Sequence, residues 1–269
     1  MNPKAILLAA ILAAPALTAQ IDDELMQQRL TFESKQTRTL RADYLLYLPK
    51  GYDAKAAKKW PLIVFLHGAG ERGTNLTLVA VHGPPKMVKK SPPTPKSETA
   101  ETRAKREAAT KLLTENFIVI SPQCLAGKRW DDDTMLGLID SVASKHKVDA
   151  SRVYLTGLSM GGYGSWSLGT THPERFAAIA PICGGGDSVL FRLHDAKKAA
   201  ALKSLPIWAF HGDNDAAVPV QKSEEMISAL KKFGVAEARL TVYPGVGHDS
   251  WTESYNNPEL YEWFLKHQR

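Results

Sequence analysis

Three residues, Ser159, Asp215 and His248, stand in an order and in surroundings that could support nucleophilic catalysis. Ser159 is the centre of Gly157-Leu158-Ser159-Met160-Gly161, directly after the β-branched and aromatic run Val153-Tyr154-Leu155-Thr156. A serine hydroxyl is a weak nucleophile until a base takes its proton and the chain holds it exposed. A sharp turn from strand to helix does the second job. Gly-x-Ser-x-Gly in that setting predicts a nucleophile elbow. The flanking glycines fit because a Cβ on either side would crowd the neighbouring strand and helix. The helix that follows aims its N-terminal N–H groups and dipole at the place where an oxyanion would form.

A base and a group to orient it must follow the elbow. In hydrolases with this elbow the chain order is serine, acid, histidine. His211-Gly212-Asp213-Asn214-Asp215 comes straight after the apolar run Ile207 to Phe210, where a carboxylate would sit at a strand's carboxyl end. Asp215 is the expected acid. Asp213 is the rival, with capping of the turn as its other role. Tyr243-Pro244-Gly245-Val246-Gly247-His248 is a glycine-rich loop after the last strand and before a final helix, which makes His248 the expected base among eight histidines. His67-Gly68-Ala69-Gly70 ends an earlier apolar run, so the backbone N–H groups of Ala69 and Met160 are the expected oxyanion donors. Trp130 and Trp251 are candidates for lining a substrate pocket, or for packing beneath loops. The histidines are not spaced as ligand pairs, so no metal site is expected, and acyl transfer of this kind requires no cofactor.

The elements that must position these residues alternate. Trp60 to Leu66, Phe117 to Ile120 and Val153 to Thr156 are continuous apolar runs, as in parallel strands buried on both faces. An opening pair of strands over Leu25–Pro49, ending in Tyr44 to Pro49, together with Phe176 to Ile182, Ile207 to Phe210 and Leu240 to Tyr243, completes the strands. Helices are expected over Asp133–Lys145, Met160–Thr171, Val220–Phe233 and Pro258–His267. The alternation predicts a doubly wound, mostly parallel α/β sheet with helices on both faces. A polar stretch near 89–110, rich in Pro, Lys and Glu, breaks the rhythm. It reads as an inserted surface loop, with a charge-laced helix over Glu98–Leu113 as its ordered part.

Composition narrows the classes. Of 269 residues 44% are hydrophobic and 23% charged, which suits one globular domain. The net charge of +6 comes without aromatics interleaved among Lys and Arg, so nucleic-acid binding is not expected. Lys4 followed by the apolar stretch Ala5 to Ala14 and small residues through Ala19 predicts an export signal over residues 1–19, with Ala16 as the other cleavage point. The apolar run falls short of the roughly 20 residues that span a bilayer. The expected product is a secreted or periplasmic domain over 20–269, free of the membrane. Cys124 and Cys183 fall two strands apart in this arrangement, too far to bridge, and are expected as free thiols.

Several blocks carry a family resemblance over nearly the whole chain after the signal: Phe65 to Gly73, Ser121-Pro122-Gln123-Cys124, Gly157 to Gly164, Pro181 to Gly186 and His248-Asp249-Ser250-Trp251. They resemble secreted α/β-hydrolase esterases often labelled predicted peptidases, a group similar to feruloyl esterases and poly(3-hydroxybutyrate) depolymerases. The resemblance implies an α/β-hydrolase fold and a serine carboxylesterase with Ser159, Asp215 and His248 as its triad. Small-molecule or polysaccharide-linked esters are the implied substrates, and feruloyl esters are one case. The stretch from Ser91 to Thr110 departs from that pattern. Two alternatives stand beside this reading: a peptidase of prolyl-oligopeptidase type, and an inactive binding protein on the same scaffold.

Overall fold

A computed structural model describes residues 21–22, 27–28, 34–35, 37–90 and 98–269. The segment 1–19, where an export signal is expected, lies outside the described residues. The chain divides into two compact units, Met1–Thr39 and Leu40–Arg269. In the first, β1 (Ile21–Asp22) pairs antiparallel with β2 (Gln27–Gln28).

The second unit is built on a seven-stranded sheet. Its strands are β3 (Tyr44–Tyr47), β4 (Trp60–Leu66), β5 (Ile118–Pro122), β6 (Val148–Leu158), β7 (Ala178–Ile182), β8 (Ile207–Gly212) and β9 (Ala238–Tyr243). The spatial order is β3-β5-β4-β6-β7-β8-β9. Only β3 is antiparallel, against β5; every other pairing is parallel. Every residue of β4, β5, β7 and β8 is buried. That is why these segments read as unbroken apolar runs.

Strand periodicity then sorts side chains between two cores. Leu62, Val64 and Leu66 point into one, with α3 (Asp132–Lys145), α4 (Met160–Thr171), α5 (Ser188–Arg192), α6 (Ala196–Ser204) and α7 (Gln221–Phe233). Ile63 and Phe65 point into the other, with α1 (Gly83–Met87), α2 (Ala100–Asn116), α8 (Trp251–Asn256) and α9 (Pro258–Lys266). This is the expected doubly wound α/β arrangement. Helix ends are capped: Asp131 Oδ1 accepts from Thr134 N at 2.9 Å, and Gly234 closes α7 at φ 95°.

The polar stretch is corrected in one respect. Residues 91–97 lie outside the described residues, but Ala100–Asn116 is not an appendage. It is a 17-residue helix whose Ala109 and Leu113 are fully buried in the same core as Val119, Leu260 and Phe264. Its charges face outward in pairs such as Lys105 with Glu101 at 2.8 Å. One alanine and one leucine seat it on the sheet, too few to show in an apolar count. Among the described residues no helix is long and apolar enough to cross a membrane. Cys124 and Cys183 are buried and free, as the strand order requires.

Candidate active site

The parallel strands at the middle of the sheet deliver their carboxyl-end loops to one place. Ser159 follows β6 and holds φ 53°, ψ −116°, a region that non-glycine residues rarely enter. Its N–H is shared between Ile182 O at 3.0 Å and Cys183 Sγ at 3.3 Å, so β7 holds the turn from behind. Gly161 makes the turn possible. A Cβ there would lie 1.9 Å from Leu66 O, on the adjacent strand.

His248, in the loop after β9, brings Nε2 to 2.9 Å from Ser159 Oγ. Its Nδ1 lies 2.7 Å from Asp215 Oδ2. A ring nitrogen facing a carboxylate carries the proton, which leaves Nε2 free to accept from the serine. Asp215 is 6% exposed, and its Oδ1 accepts from Ala217 N at 2.9 Å and Val218 N at 2.8 Å. Burial pushes this carboxyl up, but the His248 ring and the two N–H groups outweigh it and hold it below the ordinary value. Asp213 is turned elsewhere: Oδ1 accepts from Gly245 N at 2.7 Å, which ties the loop after β8 to the loop that carries His248. The two loops touch so closely that a Cβ on Gly212 would lie 2.1 Å from Val246 O.

Ala69 opens a short 3-10 turn, Ala69–Glu71, just past β4, and Met160 is the first residue of α4. Both line the cleft at Ser159, and backbone N–H groups at such positions have no partner inside their helices. The preceding turn lies against the elbow, since a Cβ on Gly68 would be 3.6 Å from Ser159 Cβ. His67 fixes it. The ring is buried, Nδ1–H donates to Gly68 O at 2.6 Å, and Nε2 accepts from Cys124 N at 3.0 Å. Burial lowers the pKa of this imidazole, so it is held neutral. Gln123 completes the brace, donating from Nε2 to Glu71 O at 2.8 Å and Asn75 O at 2.9 Å. The Ser121 to Cys124 block thus has a physical role: it clamps the loop that carries Ala69.

The two tryptophans part company. Trp130 lines the cleft, a cavity of about 770 Å³, and its Nε1 donates to His67 O at 3.3 Å. Trp251 does not line it. Its ring stands edge-on to His248 at 5.3 Å and to His82 at 5.2 Å, and Nε1 donates to His82 Nδ1 at 3.2 Å. It packs against the His248 ring rather than lining the cleft.

His211 was not singled out from the sequence. It is fully buried, with Nε2 2.8 Å from Val218 O and 3.3 Å from Asp215 Oδ2, and with Nδ1 2.7 Å from Ser223 Oγ. Two acceptors at Nε2 place a proton there, directed at the carboxylate's flank. The available signal was its place as a polar residue inside a fully buried strand. A metal does not fit this site. Cys183, Asp215 and His248 offer atoms within 4.8 Å of one another. However, Asp215 and His248 are bonded to each other, and burial pushes the Cys183 thiol up to about 12, far from the thiolate a metal needs.

Residues 131–259 match the family model described as Phospholipase/Carboxylesterase. Among solved structures, a thermostable esterase is 29% identical, with 93% of this chain and 62% of that chain covered and a TM-score of 0.66. A ferulic acid esterase aligns at 19% identity over 91% of this chain and 96% of that chain, with a TM-score of 0.59, which speaks for the fold alone. A poly(3-hydroxyoctanoate) depolymerase of Pseudomonas fluorescens is 27% identical over 173 residues, 58% of this chain and 61% of that protein. The chain spans about three fifths or less of the length of the curated relatives it matches. The fold is that of the α/β hydrolases, and the similarities lie with hydrolases of esterase type.

Proposed function

We propose that this chain, an α/β hydrolase whose similarities lie with the esterase group, is an exported serine carboxylesterase acting through a covalent acyl-enzyme. The observation that carries the reading is the continuous line from Ser159 Oγ through the His248 ring to Asp215 Oδ2, at 2.9 and 2.7 Å. His248 Nε2 takes the serine proton as Oγ attacks the ester carbonyl. Asp215 holds the ring in the tautomer that can accept and stabilises the imidazolium. The N–H groups of Ala69 and Met160 bind the oxyanion, each worth about 3 kcal/mol. The alcohol leaves with the proton from His248. Water then attacks the acyl-enzyme by the same route and frees the acid. Export rests on the basic, then apolar, then small-residue pattern of residues 1–19. Feruloyl or other ester groups on plant polysaccharides are the proposed natural substrates, in keeping with the resemblance and with the open cleft beside Trp130.

The test is hydrolysis of p-nitrophenyl acetate, a hydroxycinnamate ester panel and a p-nitroanilide peptide by wild type and Ser159→Ala. Ester turnover that falls by about 10⁴ or more in a folded Ser159→Ala protein is expected. Near-wild-type activity in that variant would remove Ser159 from its role. Peptide cleavage without ester cleavage would replace esterase by peptidase.

A further inference from the structure

The cleft beside Ser159 is charged in an uneven way. Three charged side chains line it, Arg72, Arg129 and Asp187. Asp187 Oδ1 accepts from Val189 N at 2.8 Å and caps α5. Arg72 uses only Nε, which donates to Ala69 O at 2.9 Å. Among the described residues, no carboxylate pairs with its terminal nitrogens. Its neighbour Glu71 is turned the other way, with its oxygens 3.9 Å from His82 Nε2 and from His67 Nδ1. Arg129 is exposed and forms no ion pair among the described residues.

Both arginines are linked to the turn after β4, Arg72 directly and Arg129 through the residue that follows it. Arg72 is tied to the carbonyl of Ala69. Arg129 precedes Trp130, whose ring nitrogen is tied to the carbonyl of His67. The cleft thus holds two guanidinium groups without an ion pair among the described residues, together with Asp187 and Leu190. A planar guanidinium with free N–H pairs is suited to gripping a carboxylate through two parallel hydrogen bonds.

We infer that Arg72 and Arg129 form an anion subsite, so that among the ester groups proposed above those on molecules carrying a carboxylate beyond the scissile group are preferred over neutral ones. The inference rests on Ser159 as nucleophile and names the substrate class of that same site. The carboxylate would stand on the Ala69 side of the scissile carbonyl. Because Arg72 reaches the oxyanion loop through its own hydrogen bond, binding there also seats the carbonyl for attack.

The experiment compares matched esters that differ only in charge. Mono-4-nitrophenyl adipate against methyl 4-nitrophenyl adipate places the anion on the acyl side. The pair 4-acetoxybenzoate and methyl 4-acetoxybenzoate places it on the alcohol side. For at least one pair, wild type should favour the anionic ester by about tenfold in kcat/KM, the effect of one charge-assisted hydrogen bond in a half-open site. In Arg72→Gln/Arg129→Gln the ratio should fall to about one. In wild type, 0.5 M salt should lower it through screening. A ratio at or below one for both pairs in wild type overturns the subsite. So does a double variant that slows neutral and anionic esters alike, because Arg72 would then only brace the Ala69 loop. If neither ester of either pair is hydrolysed, the esterase reading fails separately. Calorimetric binding of the same esters to Ser159→Ala, with and without the two arginines, still decides the subsite. About tenfold tighter binding of the anionic ester, dependent on the arginines, supports it, and equal binding overturns it.

Discussion

The α-carbon of Gly161 faces the carbonyl oxygen of Leu66 so closely that a Cβ would lie 1.9 Å from it and 2.7 Å from His67 O. Both obstacles are backbone atoms of a central strand and its exit, which have no flexible end to move aside. Gly161→Ala should therefore cost about 3 kcal/mol or more. In a domain of this size that corresponds to a drop in Tm of roughly 6–12 °C, read by thermal denaturation. An unchanged Tm would mean that the elbow is looser than this packing implies.

Amide substitution distinguishes the proposed acid, Asp215, from Asp213. Asp215→Asn should lower kcat on p-nitrophenyl acetate by about 10⁴, because the amide favours the wrong imidazole tautomer. Asp213→Asn keeps an oxygen to accept from Gly245 N and should cost far less. If Asp213→Asn is the more damaging, the roles of the two are reversed.

The buried imidazole of His67 predicts a pH dependence of stability. Its pKa is lowered in the folded protein, chiefly by burial, so the unfolded chain takes up a proton where the fold does not. A group depressed in this way contributes stability above its unfolded value, about 6.5, that is lost as pH falls toward the folded value. The loss from this one site has a limiting slope of about 1.4 kcal/mol per pH unit. Denaturant midpoints between pH 7 and 4 should fall less steeply in His67→Gln than in wild type. Parallel curves would refute the assignment.

Helix α2 gives the sharpest contrast with its own composition. Leu113→Ala should cost about 2–5 kcal/mol, since the side chain is fully buried against α9 and the sheet. Glu101→Ala, on the solvent face, should stay within about 0.5 kcal/mol. Equal effects would show that the helix is the loosely attached insertion its charges suggest.

These contrasts mark what the sequence could carry. Buried parallel strands announce themselves as apolar runs, and Met160–Thr171 follows from the elbow alone. The order of Ser159, Asp215 and His248 was legible because each follows a strand and takes its place from the strand's carboxyl end. Seating is what a linear pattern conceals. Ala109 and Leu113 dock a helix that reads as polar. Trp251 lies near His248 in sequence, yet only the turn into α8 decides that it packs against the ring instead of lining the cleft. His211 gave no signal beyond being polar, because its partners Val218 and Ser223 become neighbours only when the chain after β8 folds back.

The shared N–H of Ser159 has one more consequence. Cys183 Sγ sits on that N–H, fully buried, with its proton firmly held. An alkylating reagent needs the thiolate and access to it, and burial of this sulfur disfavours both. The rate at which this sulfur becomes modifiable is therefore a clock for excursions in which the serine turn lifts away from β7. Covalent capture of one silent atom would thus time the brief departures from order of the strained turn that carries Ser159.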